Sequence, residues 1–383
     1  MPVGWPATLP DRPYLVVVGT SARSLAEAGA RAGYRVAAAD CFGDEDTRDA
    51  AGMVALASME RESTLAAAAF ALHPWSTRRP RLVWGAGFEG AGHLLRKLQR
   101  SFRLCGNTPF VMDLPGEPRR LFELLDTLCI PHPEVSFAAP DAPREWLRKH
   151  AAGYGGMGVF DATYAGGDGP WPAAYWQRRI VGEAFSVTFA ADGGQALVMG
   201  FNTLAQRRQG PRPYVYQGAI TGHVLDDQQR GLVEDYVARL TRSLGLRGIN
   251  GMDFVLDGDE PLFLELNARP PASLELYDPD LPGGAMACHL EACEGRLPVM
   301  GPVAGGVIRG HRILYAGHDM EVPAIHWPAW MKDRPAPGTR VPAGEPICSI
   351  HGDGESTQMV ADRLAQRATR GAALLGANGR AAA

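Results

Sequence analysis

Apolar positions along the chain fall into three textures. In the first, short unbroken apolar runs alternate with stretches of helical composition. "YLVVVG" (14–19), "RVAAAD" (35–40) and "RLVW" (81–84) each have the length of a buried parallel strand. Between them lie "TSARSLAEAGARAGY", with a Thr/Ser start and Gly33 as its stop, and a helix near 60–73. This strand–helix–strand repetition predicts an α/β, Rossmann-like domain over residues 1–112, with its site at the carboxyl ends of the strands.

"GNTPFVMDLPGEP" (106–118) reads as a connection into a second domain, 113–298, of mixed α+β texture. It opens with the amphipathic "RRLFELLDTL". In "EWLRKHAAGYGGMGVF" (145–160) a strand, a Gly-rich loop and a strand follow one another, within a lid of about 115–180. Next come a strand, a Gly hinge and a hairpin turning at Asp192-Gly193-Gly194, then helices over 226–246 and near 284–295. From about 300, short pieces such as "RILYAGHD" alternate with Pro/Gly turns. They predict a small β-rich segment (299–375), a closing helix near 357–375 and a frayed tail (376–383). No repeat of solenoid length is visible.

"GMDFVLDGDEPLFLEL" predicts a hairpin whose register follows from its apolar faces. Met252, Phe254 and Leu256 share one face, and Leu262, Leu264 and Leu266 share a face of the partner strand. Burying both sets together puts Phe254 opposite Leu264 and therefore Asp253 opposite Glu265, with Asn267 one pleat further. Two facing carboxylates repel unless a cation stands between them. Oxygen-only donors without Cys or His suit Mg²⁺ or Mn²⁺, completed by phosphates of a substrate. A merely solvated strand face would leave the two acids paired at a cost. Arg269 has the same parity and can reach a phosphoryl oxygen beside such a cation. In "GYGGMG", Gly155, Gly156 and Gly158 would let backbone N–H groups approach a phosphate chain, although a plain flexible turn reads the same way. Lys149, entering that loop, offers a point charge to phosphate; locally, a surface lysine reads alike.

The remaining features narrow the class. The chain has 383 residues and a formal net charge of −4, with Arg dispersed among acids, which gives no electrostatic case for nucleic acid. No segment has membrane-spanning length, and the Pro-rich opening lacks an export-type apolar core, so a cytoplasmic protein is expected. Six cysteines without C-x-x-C and ten histidines without ligand spacing predict neither disulfides nor zinc. "GAGFEG" (85–90) is a formal G-x-G-x-x-G after a strand. It sits on a later strand than a dinucleotide fingerprint should, and the candidate acid Asp113 falls in a Pro/Gly-broken stretch. A tight strand-to-helix turn is the better reading.

Taken together, these parts resemble the ATP-grasp superfamily over nearly the whole chain. Asp253…Glu265-Leu-Asn267-Ala-Arg269 is the specific part of that resemblance. It implies an ATP-grasp fold with a pre-ATP-grasp domain, ATP as the nucleotide, and two Mg²⁺ (or Mn²⁺) ions on Asp253, Glu265 and Asn267. Lys149 and Arg269 would act on phosphoryl oxygens. The adenine hinge falls on "QRRIV", with Gln177 in place of the usual acid and main-chain groups of Arg179 and Ile180 meeting the base. Glu183 would take the ribose hydroxyls, Ala184 being the other alignment choice. Many relatives carry a further Lys where this chain has "GEPRR"; either Arg119 or Arg120 would substitute for it, or nothing does. "TSARSLAEAGARAGYRVAAADCFGDEDT", "GFEG" and "DRPAPGTRVPAGEPICSI" resemble, within the superfamily, a group linked to methylofuran-type one-carbon carriers and similar to the tyramine–glutamate ligase.

The resemblance implies ATP-driven carboxylate–amine ligation through an acyl phosphate, joining glutamate to an aromatic amine or tyrosine-like amino acid. "QRRQGPRPYVYQGA" (206–219) is the candidate substrate contact, through Arg207, Arg208 and Tyr216. Small molecules are the expected partners, with neither nucleic acid nor membrane, and a homodimer is left open. The rivals are a non-catalytic ATP-binding subunit or sensor of the same fold and an NAD-dependent oxidoreductase built on "GAGFEG".

Overall fold

The computed structural model describes residues 13–59, 62–74, 79–164, 174–222, 225–297 and 306–376. The tail from 377 and the first twelve residues lie outside these ranges.

The first unit runs β1 (Tyr14–Val18), α1 (Arg23–Arg31), β2 (Arg35–Asp40), α2 (Glu45–Ala50), β3 (Met53–Leu56), α3 (Glu62–Ala71), β4 (Arg81–Trp84), α4 (Gly92–Leu98) and β5 (Arg103–Leu104). Its strands are parallel, in the order β3-β2-β1-β4-β5. Leu15 to Val18 are fully buried, as unbroken apolar runs require when both sheet faces are covered. From β1 the chain steps to β2 on one side and later to β4 on the other. The loops after β1 and β4 therefore flank a crevice at the carboxyl edge.

Helices α5 (Pro109–Asp113) and α6 (Pro118–Thr127) lead to a small antiparallel sheet. It consists of β6 (Val135–Ser136), β7 (Trp146–His150), β8 (Val159–Asp161) and β9 (Ala174–Arg178), ordered β6-β9-β7-β8. This is the lid. The main sheet starts with β10 (Ala184–Asp192), β11 (Ala196–Gln209) and β12 (Arg212–Thr221). After α7 (Asp227–Leu244) follow β13 (Arg247–Asp257), β14 (Glu260–Asn267), α8 (Leu274–Tyr277) and α9 (Gly284–Cys293). Helix α7 is bounded by a capping box at Asp226 and by Gly245 at φ +63°, which is why its ends match the sequence signals.

The last elements are β15 (Ile308–Tyr315), β16 (Met320–Glu321), β17 (Met331–Lys332), β18 (Arg340–Val341), β19 (Pro346–Gly354) and α10 (Thr357–Leu374). The β-rich segment has its own apolar core of Val322, Met331, Ile350, Val360 and Leu364. Its strands β15, β19 and β17 nevertheless prolong the main sheet, whose order is β14-β13-β10-β11-β12-β15-β19-β17, while β16 and β18 pair apart from it. Among the described residues no helix is long and apolar enough to cross a membrane.

The β13–β14 hairpin pairs Asp253 with Glu265, as the apolar pattern requires, but Phe254 faces Phe263 rather than Leu264. A β-bulge between Asp253 and Phe254 accounts for both. The extra residue turns Phe263 into the core against Phe254, both fully buried, and leaves Leu264 beside Glu265 on the opposite face.

Candidate active site

One face of the main sheet floors a cleft of about 570 Å³, in the range of small-molecule sites. The floor residues alternate along successive strands: Asn267 and Glu265, Val255 and Asp253, Ser186 and Ala184, Gln206 and Leu204, Tyr216 and Tyr214, Ile313 and His311. The lid walls one end with Leu147, Lys149, Tyr154 and Ile180. The parallel domain walls the other with Thr20, Ser21 and Arg23 after β1, Asp44 after β2, and Gly85 and Ala86 after β4.

At the lid end, Asp253 and Glu265 face each other across the hairpin. Burial and the neighbouring Glu265 push the Asp253 carboxyl up to about 8. Burial likewise raises Glu265, against the pull of Lys149 and Arg269. The pair is short of positive charge, which is the deficit a divalent cation would fill. Among the described residues no group of three or more His, Cys, Asp or Glu is gathered for a metal. The protein side would thus be two carboxylates and an amide, a donor set that fits Mg²⁺ completed by phosphate oxygens and water. Asn267 Nδ2 lies 3.4 Å from Asp253 Oδ1 and donates to it.

Arg269 is anchored on three sides. Its Nε donates to Glu89 Oε1 at 2.6 Å, an Nη2 hydrogen to Asn267 Oδ1 at 2.9 Å, and an Nη1 hydrogen to the Pro270 carbonyl at 3.4 Å. Glu89 belongs to the "GAGFEG" turn, where its other oxygen accepts from the Gly87 N–H at 2.7 Å. That turn is therefore a mount for Asn267 and Arg269.

Lys149 Nζ donates to Gln177 Oε1 at 2.9 Å; burial lowers its pKa while Glu265 and Asp253 raise it. Gln177 is buried, and its Nε2 has no hydrogen-bond partner. A buried amide donor left open in a cleft wall fits a ligand acceptor there. Leu147, Ile180, Val255 and Leu264 supply apolar surface around it. The bulge delivers the last of these. Gly155 and Gly156 line the cleft at φ +60° and +72°, and a Cβ on Gly156 would fall 1.8 Å from the Tyr214 carbonyl oxygen.

Several expected residues are not brought to this cleft. Gly158 packs on Gly153 and closes the loop from behind. Arg179 gives its N–H to the Glu145 carbonyl and its guanidinium to Asp161, leaving only its carbonyl for a base. Glu183 is exposed and does not line the cleft, whereas Ala184 does; the wall next to Ile180 carries no carboxylate at that point. Arg207 lies over the Tyr315 ring, and Arg208 pairs with Asp161, so of that stretch Gln206, Tyr214 and Tyr216 reach the cleft. Arg119 lies over Phe137 and Arg120 over Phe110, and neither lines it.

The far end holds a cluster that no local sequence pattern announces. Arg23, 3% exposed, donates to Glu275 Oε1 at 3.0 Å and to Asp333 Oδ1 at 2.9 Å. It ties the parallel domain to α8 and to the segment after β17. Burial and then Asp333 push the Asp44 carboxyl up to about 8. Tyr216 and His311 complete this wall. The partners lie up to 310 positions apart, so only the fold can assemble them.

Residues 119–273 match the family model described as the ATP-grasp domain. No curated protein sequence matches the chain. Among solved structures, the chain is similar to the biotin carboxylase domain of Hydrogenobacter thermophilus 2-oxoglutarate carboxylase, in complex with MgADP, ADP and bicarbonate. The TM-score is 0.71 at 15% identity, over 92% of this chain and 88% of that one. It is also similar to N5-carboxyaminoimidazole ribonucleotide synthetase from Thermotoga maritima, with a TM-score of 0.63 at 14% identity over 95% and 98%. The Staphylococcus aureus N5-carboxyaminoimidazole synthetase complexed with ADP gives 0.67 at 12% identity over 93% and 97%. The fold is the ATP-grasp fold, with a parallel-sheet N-terminal domain and antiparallel sheets beyond it.

Proposed function

We propose that this ATP-grasp chain is an ATP-dependent carboxylate–amine ligase. The observation that carries the reading is the Asp253–Glu265 pair, two carboxylates facing each other at the floor of a cleft that Lys149 and Arg269 also line. Adenine would lie among Leu147, Ile180, Val255 and Leu264, accepting from Gln177 Nε2. Phosphates would run beneath Gly155 and Gly156 toward Lys149. Asp253, Glu265 and Asn267 would hold one or two Mg²⁺ or Mn²⁺ ions, which when bound neutralise charge developing on the phosphoryl group. Of the five N–H donors of Arg269, three are engaged, which leaves two for a phosphoryl oxygen.

In this reading a substrate carboxylate attacks the terminal phosphate, and an amine then displaces phosphate from the acyl phosphate. The protein aligns the reactants and screens their charge. Glutamate and an aromatic or tyrosine-like amine are the proposed pair. Tyr216 offers the far end an aromatic surface, and the acids Asp44, Glu275 and Asp333 suit an entering amine. A role in building methylofuran-type one-carbon carriers rests on the resemblance of the N-terminal and C-terminal stretches alone. The test is ADP release with Mg·ATP over a panel of amino acids and phenolic amines, with products identified by mass. Amide containing glutamate is expected. ATP-induced thermal stabilisation without ADP release for any pair would favour the non-catalytic sensor instead.

A further inference from the structure

Three groups at the far end of the cleft form a chain whose hydrogen bonding the ligase scheme does not use. Tyr216 Oη stands 2.7 Å from His311 Nε2. His311 is 4% exposed, and its Nδ1, 3.8 Å from Glu275 Oε1, has no hydrogen-bond partner. With a carboxylate beside Nδ1, the neutral ring keeps its proton there and presents Nε2 as acceptor to the phenol. Both Tyr216 and His311 line the cleft. The sequence runs from a cleft-facing hydroxyl through an imidazole to a carboxylate, the arrangement that lets a hydroxyl take up one proton while passing on another.

The surroundings keep the ring neutral and therefore able to accept. Burial pushes the His311 pKa down to about 4; Glu275 of α8 and Asp333 oppose this, while His351 of β19 and Arg23 of α1 reinforce it. Glu275 is fixed by Arg23, so its carboxylate cannot swing away from the ring. The phenol is also within the electrostatic reach of Asp253, which joins this chain to the phosphoryl end of the floor.

We propose that Tyr216 and His311 take the proton released when an amine attacks the activated carboxyl group, with Glu275 as a positioning residue for the imidazole. This rests on the ligase reading. The neutral amine nitrogen forms the C–N bond to the acyl carbon, and the carbon–oxygen bond to phosphate breaks, the electron pair leaving with phosphate. One nitrogen proton passes to Tyr216 Oη as the phenol proton moves to His311 Nε2. The imidazolium, beside Glu275, then returns its proton to phosphate or water.

The experiment compares wild type, Tyr216→Phe and His311→Gln with Mg·ATP and a panel of amino-acid carboxylates. Two kinds of nucleophile are used: hydroxylamine, a weak base whose adduct gives up its proton to water unaided, and a panel of more basic amines including tyramine. The expected result is that the ratio of amide rate to hydroxamate rate falls about a hundredfold in both variants. The loss should sit in kcat for the amine and shrink as pH rises. Residual hydroxamate formation shows that each variant is folded and still activates the carboxylate. Parallel loss of both products would make the pair structural and overturn the proposal, as would an unchanged ratio. Hydroxamate without amide in wild type, for every amine, would overturn the acceptor assignment. Wild type that releases no ADP with any carboxylate would overturn the ligase reading itself, and the relay with it.

Discussion

Arg269 Nε lies 2.6 Å from Glu89 Oε1, so the end of β14 is bonded to the turn that follows β4 of the parallel domain. Both side chains are buried, at 8% and 5% exposure. Removing one partner leaves the other as an uncompensated buried charge, at a cost of about 3–5 kcal/mol. Glu89→Ala is expected to lose that much stability in urea denaturation, and Glu89→Gln less, because the amide oxygen still accepts. A loss below about 1 kcal/mol for Glu89→Ala would mean that water reaches the pair.

The facing carboxylates fix a pH dependence. Burial and the facing Glu265 push the Asp253 carboxyl of the folded protein up to about 8, from its ordinary 3.8. Between those values the folded state holds a proton that the unfolded chain has released. Stability rises with pH only where the unfolded state binds more protons, so here the contribution of the pair falls as pH climbs from about 4 to about 8. Glu265→Gln removes the facing charge. Without ligand, its melting temperature relative to wild type should be more favourable at about pH 8 than at about pH 5. With Mg·ATP the order should reverse, and ADP formation should be nearly abolished in the folded variant. Equal differences at both pH values would contradict the charge deficit.

Gly155 and Gly156 make a matched pair. Both have positive φ, but nothing lies within 4 Å of a Cβ built on Gly155, whereas one on Gly156 meets the Tyr214 carbonyl oxygen at 1.8 Å. Gly155→Ala should cost about 1 kcal/mol of backbone strain and leave ATP binding close to wild type. Gly156→Ala must push the loop off β12 and weaken ATP binding at least tenfold by titration calorimetry. Equal effects would show that the loop is not seated on β12.

Gln177→Met keeps the length of the side chain, deletes the open Nε2 donor and also removes the Oε1 that accepts from Lys149 Nζ. One hydrogen bond to a neutral acceptor is worth about 0.5–1.5 kcal/mol, and with Lys149 losing its acceptor as well the Kd for ATP should rise at least about three- to tenfold. Calorimetry with ATP reads this directly, and an unchanged Kd would remove Gln177 from the proposed base contact.

The local half of the site could be read from the chain. Parity and burial sufficed for Asp253 opposite Glu265, because a one-residue slip would have exposed Met252 or Leu266. Leu264 was misplaced because the bulge is chosen by packing: Phe263 fills the core opposite Phe254, and no periodicity records that preference. Glu89 stands in a Gly-rich turn that reads as a tight strand-to-helix connection, and its partner, 180 positions away, has no local signature. Arg23, Glu275 and His311 were invisible for the same reason. Glu183 and Ala184 differ by one position, and only the step from exposed to buried where β10 begins separates them.

Backbone hydrogen bonds join β13, β10, β11, β12 and β15 edge to edge beneath the whole cleft. Neighbouring strands are spaced by about 4.8 Å, so the backbones at Asp253 and Tyr216, three intervals apart, stand roughly 14 Å from one another. Displacing the lid or the parallel domain leaves that interval untouched. The floor therefore acts as a gauge with strand-sized divisions, and the interval between the carboxylate pair and the Tyr216 end of the cleft is written in sheet order. Adapting such a protein to a longer or shorter amine would call for exchanging side chains on one particular strand; no amount of domain closure could substitute for it.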